Sequence, residues 1–217
     1  LNNVAVVFLS ALGALDACAR EQSPPEEEAL AELHWVGEHL KMHASHLLNL
    51  GRPGDDSIGP IEVGPVIEET LSTLRTVGRT KRAKVEVILP PEPVVILGNK
   101  KRLEQLIINL VGNAADALSE FTSVVASAGY SPSIRVSVAC NEGRALISVA
   151  DNGPGIPLDK QEEIFKPYFT TKAPGQGTGL GLVVVKRVAE ELKGSLILKS
   201  EPNRGASFTL SVPLHAA

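Results

Sequence analysis

Asp151-Asn152-Gly153-Pro154-Gly155-Ile156-Pro157 follows directly on Ala145 to Ala150, a run that reads as a strand paired with Ile134 to Ala139 across the turn Asn141-Glu142-Gly143. Two short apolar runs joined by a glycine-bearing turn mark a hairpin, so the aspartate segment is the turn by which the chain leaves a sheet. Its glycines permit tight turning and let a flat ring come close to the backbone. A carboxylate there can accept a hydrogen bond from an exocyclic amine such as adenine carries. A plain strand-to-helix turn would use the same residues, so the neighbours decide.

Upstream lies Asn109-Leu110-Val111-Gly112-Asn113-Ala114-Ala115-Asp116, inside a long helical pattern that Asn99 can cap and that runs through Leu118. Asn109 and Asn113 share one helical face. An amide oxygen is a hard ligand for magnesium, which binds mainly through nucleotide phosphates and keeps several waters. Alone, such a pair more often faces water. Downstream come Phe165-Lys166-Pro167-Tyr168-Phe169-Thr170-Thr171-Lys172 and then Gly175-Gln176-Gly177-Thr178-Gly179-Leu180-Gly181-Leu182, which opens a helix. In the first, aromatics anchor a loop while the lysine and threonines offer donors to phosphate. In the second, glycines free backbone N–H groups to face an anion at a helix start. It is neither a Walker loop nor a GxGxxG fingerprint, and the apolar helix behind it argues against a flexible linker.

The rest of the chain fits around these segments. Val66 to Val77 reads as an amphipathic helix, Lys84 to Leu89 and Val94 to Leu97 as strands, Leu180 to Lys193 as a helix, and Ser195 to Ser200 and Ser207 to Val212 as closing strands. The first fifty residues differ in character. Val4 to Arg20 and Pro25 to Leu50 read as two helices, the second with Leu33, Val36, Leu40, His43, Leu47 and Leu50 on a bundle-type seam. Such a hairpin needs a partner, so a homodimer is expected. Gly51 to Asp56 is turn-rich and reads as a linker.

Bulk properties exclude several classes. Of 217 residues 43% are hydrophobic and 21% charged, as in a globular protein. A net charge of −4 gives no electrostatic reason to expect nucleic acid. Cys18 and Cys140 form neither a disulfide framework nor a thiolate zinc site, and two lone thiols fit a reducing cytoplasm. Leu1 to Leu15 is apolar but lacks a basic leader and is shorter than a spanning helix, so it reads as a buried helix.

Taken in order with Gly205-Ala206-Ser207-Phe208-Thr209, these segments resemble the N, G1, F, G2 and G3 boxes of sensor histidine kinases. Those kinases belong to the GHKL ATPases, with gyrase and MutL. The resemblance implies an α+β architecture: a two-helix hairpin over 1–51, a four-helix bundle on dimerisation, then a linker over 52–60 and a GHKL α/β sandwich over 61–217. It implies ATP and Mg2+ as ligands. Asp151 would hold the adenine amine, with Gly153, Gly155 and Ile156 lining the base pocket. Asn113, with Asn109 beside it, would bind magnesium and phosphates, and Asp116 belongs to the same box. Lys172 and the segment through Gly177, Thr178, Gly179, Leu180 and Gly181 would form a lid over the triphosphate, and Thr209 would complete the site. The implied reaction moves the ATP γ-phosphate to a histidine, then to an aspartate of a response-regulator receiver domain. Its place is the cytoplasm, whether or not the whole protein is membrane-anchored.

The phosphoacceptor is not evident. The chain opens Leu1-Asn2-Asn3, and the resemblance sets the acceptor histidine two positions before Leu1. Asn3 then falls where related kinases keep a group that orients water for dephosphorylating the regulator. His39, His43 and His46 share a face at spacings that suit zinc, although His43 on the seam favours a solvated or register-setting role. Two other readings stay open: a nucleotide-binding signalling module without phosphotransfer, and, less favoured, an ATPase of the gyrase or MutL type.

Overall fold

The computed structural model describes residues 57–124, 129–172 and 179–215, together with Leu12, Gly13 and Cys18, which are helical. The chain divides into two compact units, residues 1–55 with 170–178, and residues 56–169 with 179–217. Apart from those three helical positions, the expected hairpin lies outside the described residues, as do Asn3, His39, His43 and His46. Among the described residues no helix is long and apolar enough to cross a membrane.

The second unit is built on a five-stranded sheet in the order β2-β4-β5-β7-β6, formed by β2 (Lys84–Ile88), β4 (Ser133–Asn141), β5 (Arg144–Asp151), β6 (Ser195–Ser200) and β7 (Ala206–Pro213). β2 runs parallel to β4 and every other neighbour is antiparallel. Glu142 and Gly143, with φ of 49° and 73°, make the two-residue turn between β4 and β5. Positive φ at both central positions gives the twist that suits a tight hairpin. A separate antiparallel pair joins β1 (Gly59–Glu62) to β3 (Val95–Gly98).

Three helices cover one face. α1 (Val63–Thr76) packs on α2 (Lys100–Val124), α2 lies over β4 and β5, and α3 (Gly181–Glu191) lies over β6 and β7. Side chains alternate across a strand, so Ile134, Val136, Ile147, Val149 and Leu210 point to the helices and are buried. They meet Leu103, Leu106, Ile107 and Leu110 of α2, all essentially inaccessible. The opposite face carries polar groups, including the Arg135–Glu86 ion pair at 2.8 Å and a hydrogen bond between Ser148 and Thr209.

Several boundaries differ from the sequence reading. α1 begins at Val63, ahead of Val66, because a proline in the first helical turn has no intrahelical N–H to lose. Asn99 does cap α2, accepting from Arg102 N–H at 3.1 Å. α2 then continues past Leu118 to Val124, where Phe121 meets Tyr130 edge to face at 5.3 Å. Gly59 and Pro60, placed in the linker over 52–60, pair instead with Gly98 and Leu97 in β1. Glycine and proline read as punctuation, yet an edge strand tolerates both.

Candidate functional site

Asp151 is the last residue of β5, and its parity with Ile147 and Val149 turns its side chain to the helix face. There the carboxylate accepts from Gly153 N–H at 2.8 Å and from the Ala206 backbone N–H. Burial pushes its carboxyl above the usual range, and the two backbone donors pull it partly back. A half-buried carboxylate held by two N–H groups is fixed in direction.

The glycines around it are conformationally required. Gly155 has φ +69°, and a Cβ there would overlap the Glu201 carbonyl oxygen. Gly205 has φ +81°, and a Cβ there would overlap the carbonyl oxygen of Asp151 itself. The start of β7 is thereby pressed against the end of β5. Ser200 joins the same turns: Ile156 N–H donates to its Oγ at 2.8 Å, and that hydroxyl donates to the Gly205 carbonyl at 2.8 Å. Gln161 closes the set by donating to the Ile156 and Ser200 carbonyls at 3.0 and 3.1 Å.

Asn152 anchors the other side. Its N–H donates to the Ser133 carbonyl at 3.3 Å, its side-chain oxygen accepts from Ser133 N–H at 2.8 Å, and its amide donates to the Ser131 carbonyl at 2.9 Å. Tyr130 donates from its hydroxyl to the Asn152 carbonyl at 3.1 Å. Burial raises the Tyr130 hydroxyl pKa, and the nearby negative Asp151 raises it further. The loop before β4 is thus stapled to the aspartate turn.

α2 presents the asparagine stripe to the start of α3. A Cβ added to Gly181 would lie 3.3 Å from Asn109 Oδ1 and 3.6 Å from Asn113 Oδ1. Asn109 is oriented by donating its amide N–H to the Gln105 carbonyl at 2.9 Å. No side chain caps the start of α3 at Leu180. The N-terminal end of a helix, with its backbone N–H groups and the positive end of its dipole, suits an anion. One turn beyond Asn113, Asp116 meets Arg79 at 3.0 Å.

The sequence-picked residues therefore sort into three groups. Asn109, Asn113, Asp116, Asp151, Gly153, Gly155, Ile156, Gly179, Leu180 and Gly181 all belong to the second unit, on α2, at the start of α3, at the end of β5 or in the turns beside them. Lys172 falls in the first unit, its N–H donating to Thr170 Oγ1 at 3.2 Å, and Gly177 and Thr178 lie outside the described residues. Thr209 is set apart from the others. It pairs in register with Ser148 and bonds to that side chain on the face away from the helices, opposite to Asp151. The β7 residue that does reach Asp151 is Ala206, through its backbone. Arg79, Tyr130, Ser200 and Gln161 were not singled out in the sequence, where none stands in a recurring motif. Among the described residues no cluster of His, Cys, Asp and Glu is set to hold a metal.

A family model described as histidine kinase-, DNA gyrase B-, and HSP90-like ATPase matches residues 98–216. The C4-dicarboxylate transport sensor protein DctB of Rhizobium meliloti (strain 1021) is 34% identical over 187 residues, 85% of this chain and 28% of that protein. The sensor histidine kinase ZraS of Klebsiella oxytoca is 32% identical over 212 residues, 95% of this chain and 43% of that protein. The chain thus spans less than half the length of either relative. Among solved structures, the catalytic domain of histidine kinase ThkA superposes with a TM-score of 0.60 at 26% identity, covering 72% of this chain and 95% of that one. With more than half its length matched, and with the matched residues holding the asparagine stripe and the aspartate with its glycine turns, the chain belongs to the histidine kinase-, DNA gyrase B- and HSP90-like ATPases.

Proposed function

We propose that this chain is the ATP-binding catalytic part of a sensor histidine kinase, joined to its dimerisation helices. The supporting observation is the half-buried Asp151 carboxylate, directed by two backbone N–H groups beside the Gly155 and Gly205 turns, where a Cβ has no room. An acceptor fixed in direction beside turns that bear no side chain suits the exocyclic amine of a flat base. The donor set on α2 and α3 suits the other end of the ligand: Asn113, with Asn109 beside it, for magnesium, and the backbone N–H groups at Leu180 and Gly181 for phosphate.

Bound ATP supplies the γ-phosphoryl group, which passes to a histidine and then to an aspartate of a response-regulator receiver domain. The protein's own share is positioning and charge compensation, which dominate phosphoryl transfer. Lys172 and the segment from Thr170 to Gly179 act as the lid. The helices over 1–51 pair into a homodimeric four-helix bundle, Asn3 serves regulator dephosphorylation, and the work is done in the cytoplasm. The names of the relatives, a transport sensor and a sensor kinase, support the signalling assignment.

The test is a titration with a fluorescent ATP analogue, with and without magnesium, on the parent and on Asn113→Ala. Saturable binding that needs magnesium and disappears in the variant is expected. No binding at millimolar nucleotide would overturn the proposal. The full-length gene product incubated with γ-labelled ATP should acquire an acid-labile phosphate, whereas binding without labelling would leave a nucleotide-responsive module.

A further inference from the structure

Arg79 lies between α1 and β2, outside every recognised segment, yet its guanidinium reaches the asparagine-bearing helix. Its Nη2 stands 3.0 Å from Asp116 Oδ2. The same nitrogen would lie 3.7 Å from a Cβ built on Gly112, so the group rests on the helix surface over a residue without a side chain. Asn109, Asn113 and Asp116 follow one another at spacings of four and three on α2, which makes one stripe. Three residues of helix advance about 4.5 Å, so Asp116 sits a single turn from Asn113.

A bare carboxylate on a stripe that meets an anionic ligand would repel it. The ion pair cancels that charge, and a guanidinium carries five N–H donors, of which one contact to Asp116 uses few. The Arg79 side chain is 51% exposed and keeps an open side. Resting on the ATP reading above, we infer that Arg79 is a phosphate-binding residue of this site and that Asp116 is the positioning residue that aims it. The geometry brings a cation to the phosphate end of the ligand from a loop, independently of the lid lysine.

An exposed ion pair contributes little to folding, so Arg79→Ala should fold normally. Calorimetric titration of the parent, Arg79→Ala, Arg79→Lys and Asp116→Asn with adenosine, MgADP and MgATP separates the roles. Loss of a charge-assisted hydrogen bond predicts about tenfold to hundredfold weaker binding of MgATP by Arg79→Ala, with adenosine affinity unchanged. Arg79→Lys should recover part of the loss, and Asp116→Asn should weaken MgATP several-fold by releasing the guanidinium. Whether MgADP follows MgATP or adenosine assigns the contact to the inner or the terminal phosphate, and either supports the inference. Unchanged MgATP affinity in Arg79→Ala, or an equal loss for adenosine, overturns it while leaving the ATP reading intact. A parent protein that binds no nucleotide takes both down.

Discussion

Replacing Asp151 by asparagine removes one charge and exchanges a second acceptor oxygen for a donor, with little change in volume. In the parent the two carboxylate oxygens serve Gly153 N–H at 2.8 Å, the Ala206 N–H and, on our reading, the adenine amine. The amide offers one oxygen for three donors, and its NH2 must face one of them. A hydrogen bond to a charged group is worth about 1.5–3 kcal/mol, so ATP affinity should fall about 10- to 150-fold. Calorimetry with MgATP and magnesium inosine triphosphate isolates the contact, because inosine bears a carbonyl oxygen where adenine bears the amine. The parent should prefer ATP by a similar factor, and the variant should bring the ratio close to one. If Asp151→Asn binds ATP within about twofold of the parent and keeps the preference, the carboxylate does not grip the base. A pH series adds a second readout. Burial raises the Asp151 carboxyl in the fold, and a raised group contributes stability below the ordinary carboxylate range that is lost as pH climbs through the folded value. Asparagine has nothing to titrate. The melting temperature of the ligand-free variant should therefore rise relative to the parent from acid toward neutral pH.

Two further substitutions test the frame around that carboxylate. Gly155→Ala meets both a positive φ and the Glu201 carbonyl, so it should cost at least about 2 kcal/mol, read as a lower urea midpoint; an unchanged midpoint would deny the tight turn. Tyr130→Phe removes the hydroxyl that bonds Asn152 at 3.1 Å and should cost about 1 kcal/mol, while weakening ATP less than Asp151→Asn does.

The five-stranded sheet and the helices packed on it were legible because each is a local pattern. Ile134 to Ala139 and Ala145 to Ala150 alternate, Asn99 precedes an apolar stripe, and glycines cluster where backbone must turn. What escaped depends on partners distant in the chain. Thr209 was placed in the site by its closeness to Gly205, but Phe208 and Leu210 on either side are core residues, and strand parity sends the residue between them outward. β1 escaped because its pairing with β3 is visible only once both exist. Arg79 escaped because a loop arginine has no spacing to read, and its meaning comes from the helix it touches.

The hydrogen bond from Tyr168 N–H to the Gly179 carbonyl, at 3.0 Å, has an evolutionary corollary. It fastens together two residues that flank the stretch over 169–178. Insertions or deletions between those points start from a gap already closed, and the entropy of lengthening a closed excursion grows only logarithmically. On the lid reading proposed above, changes in the length of that segment would alter how long nucleotide stays bound at little cost to the rest of the fold.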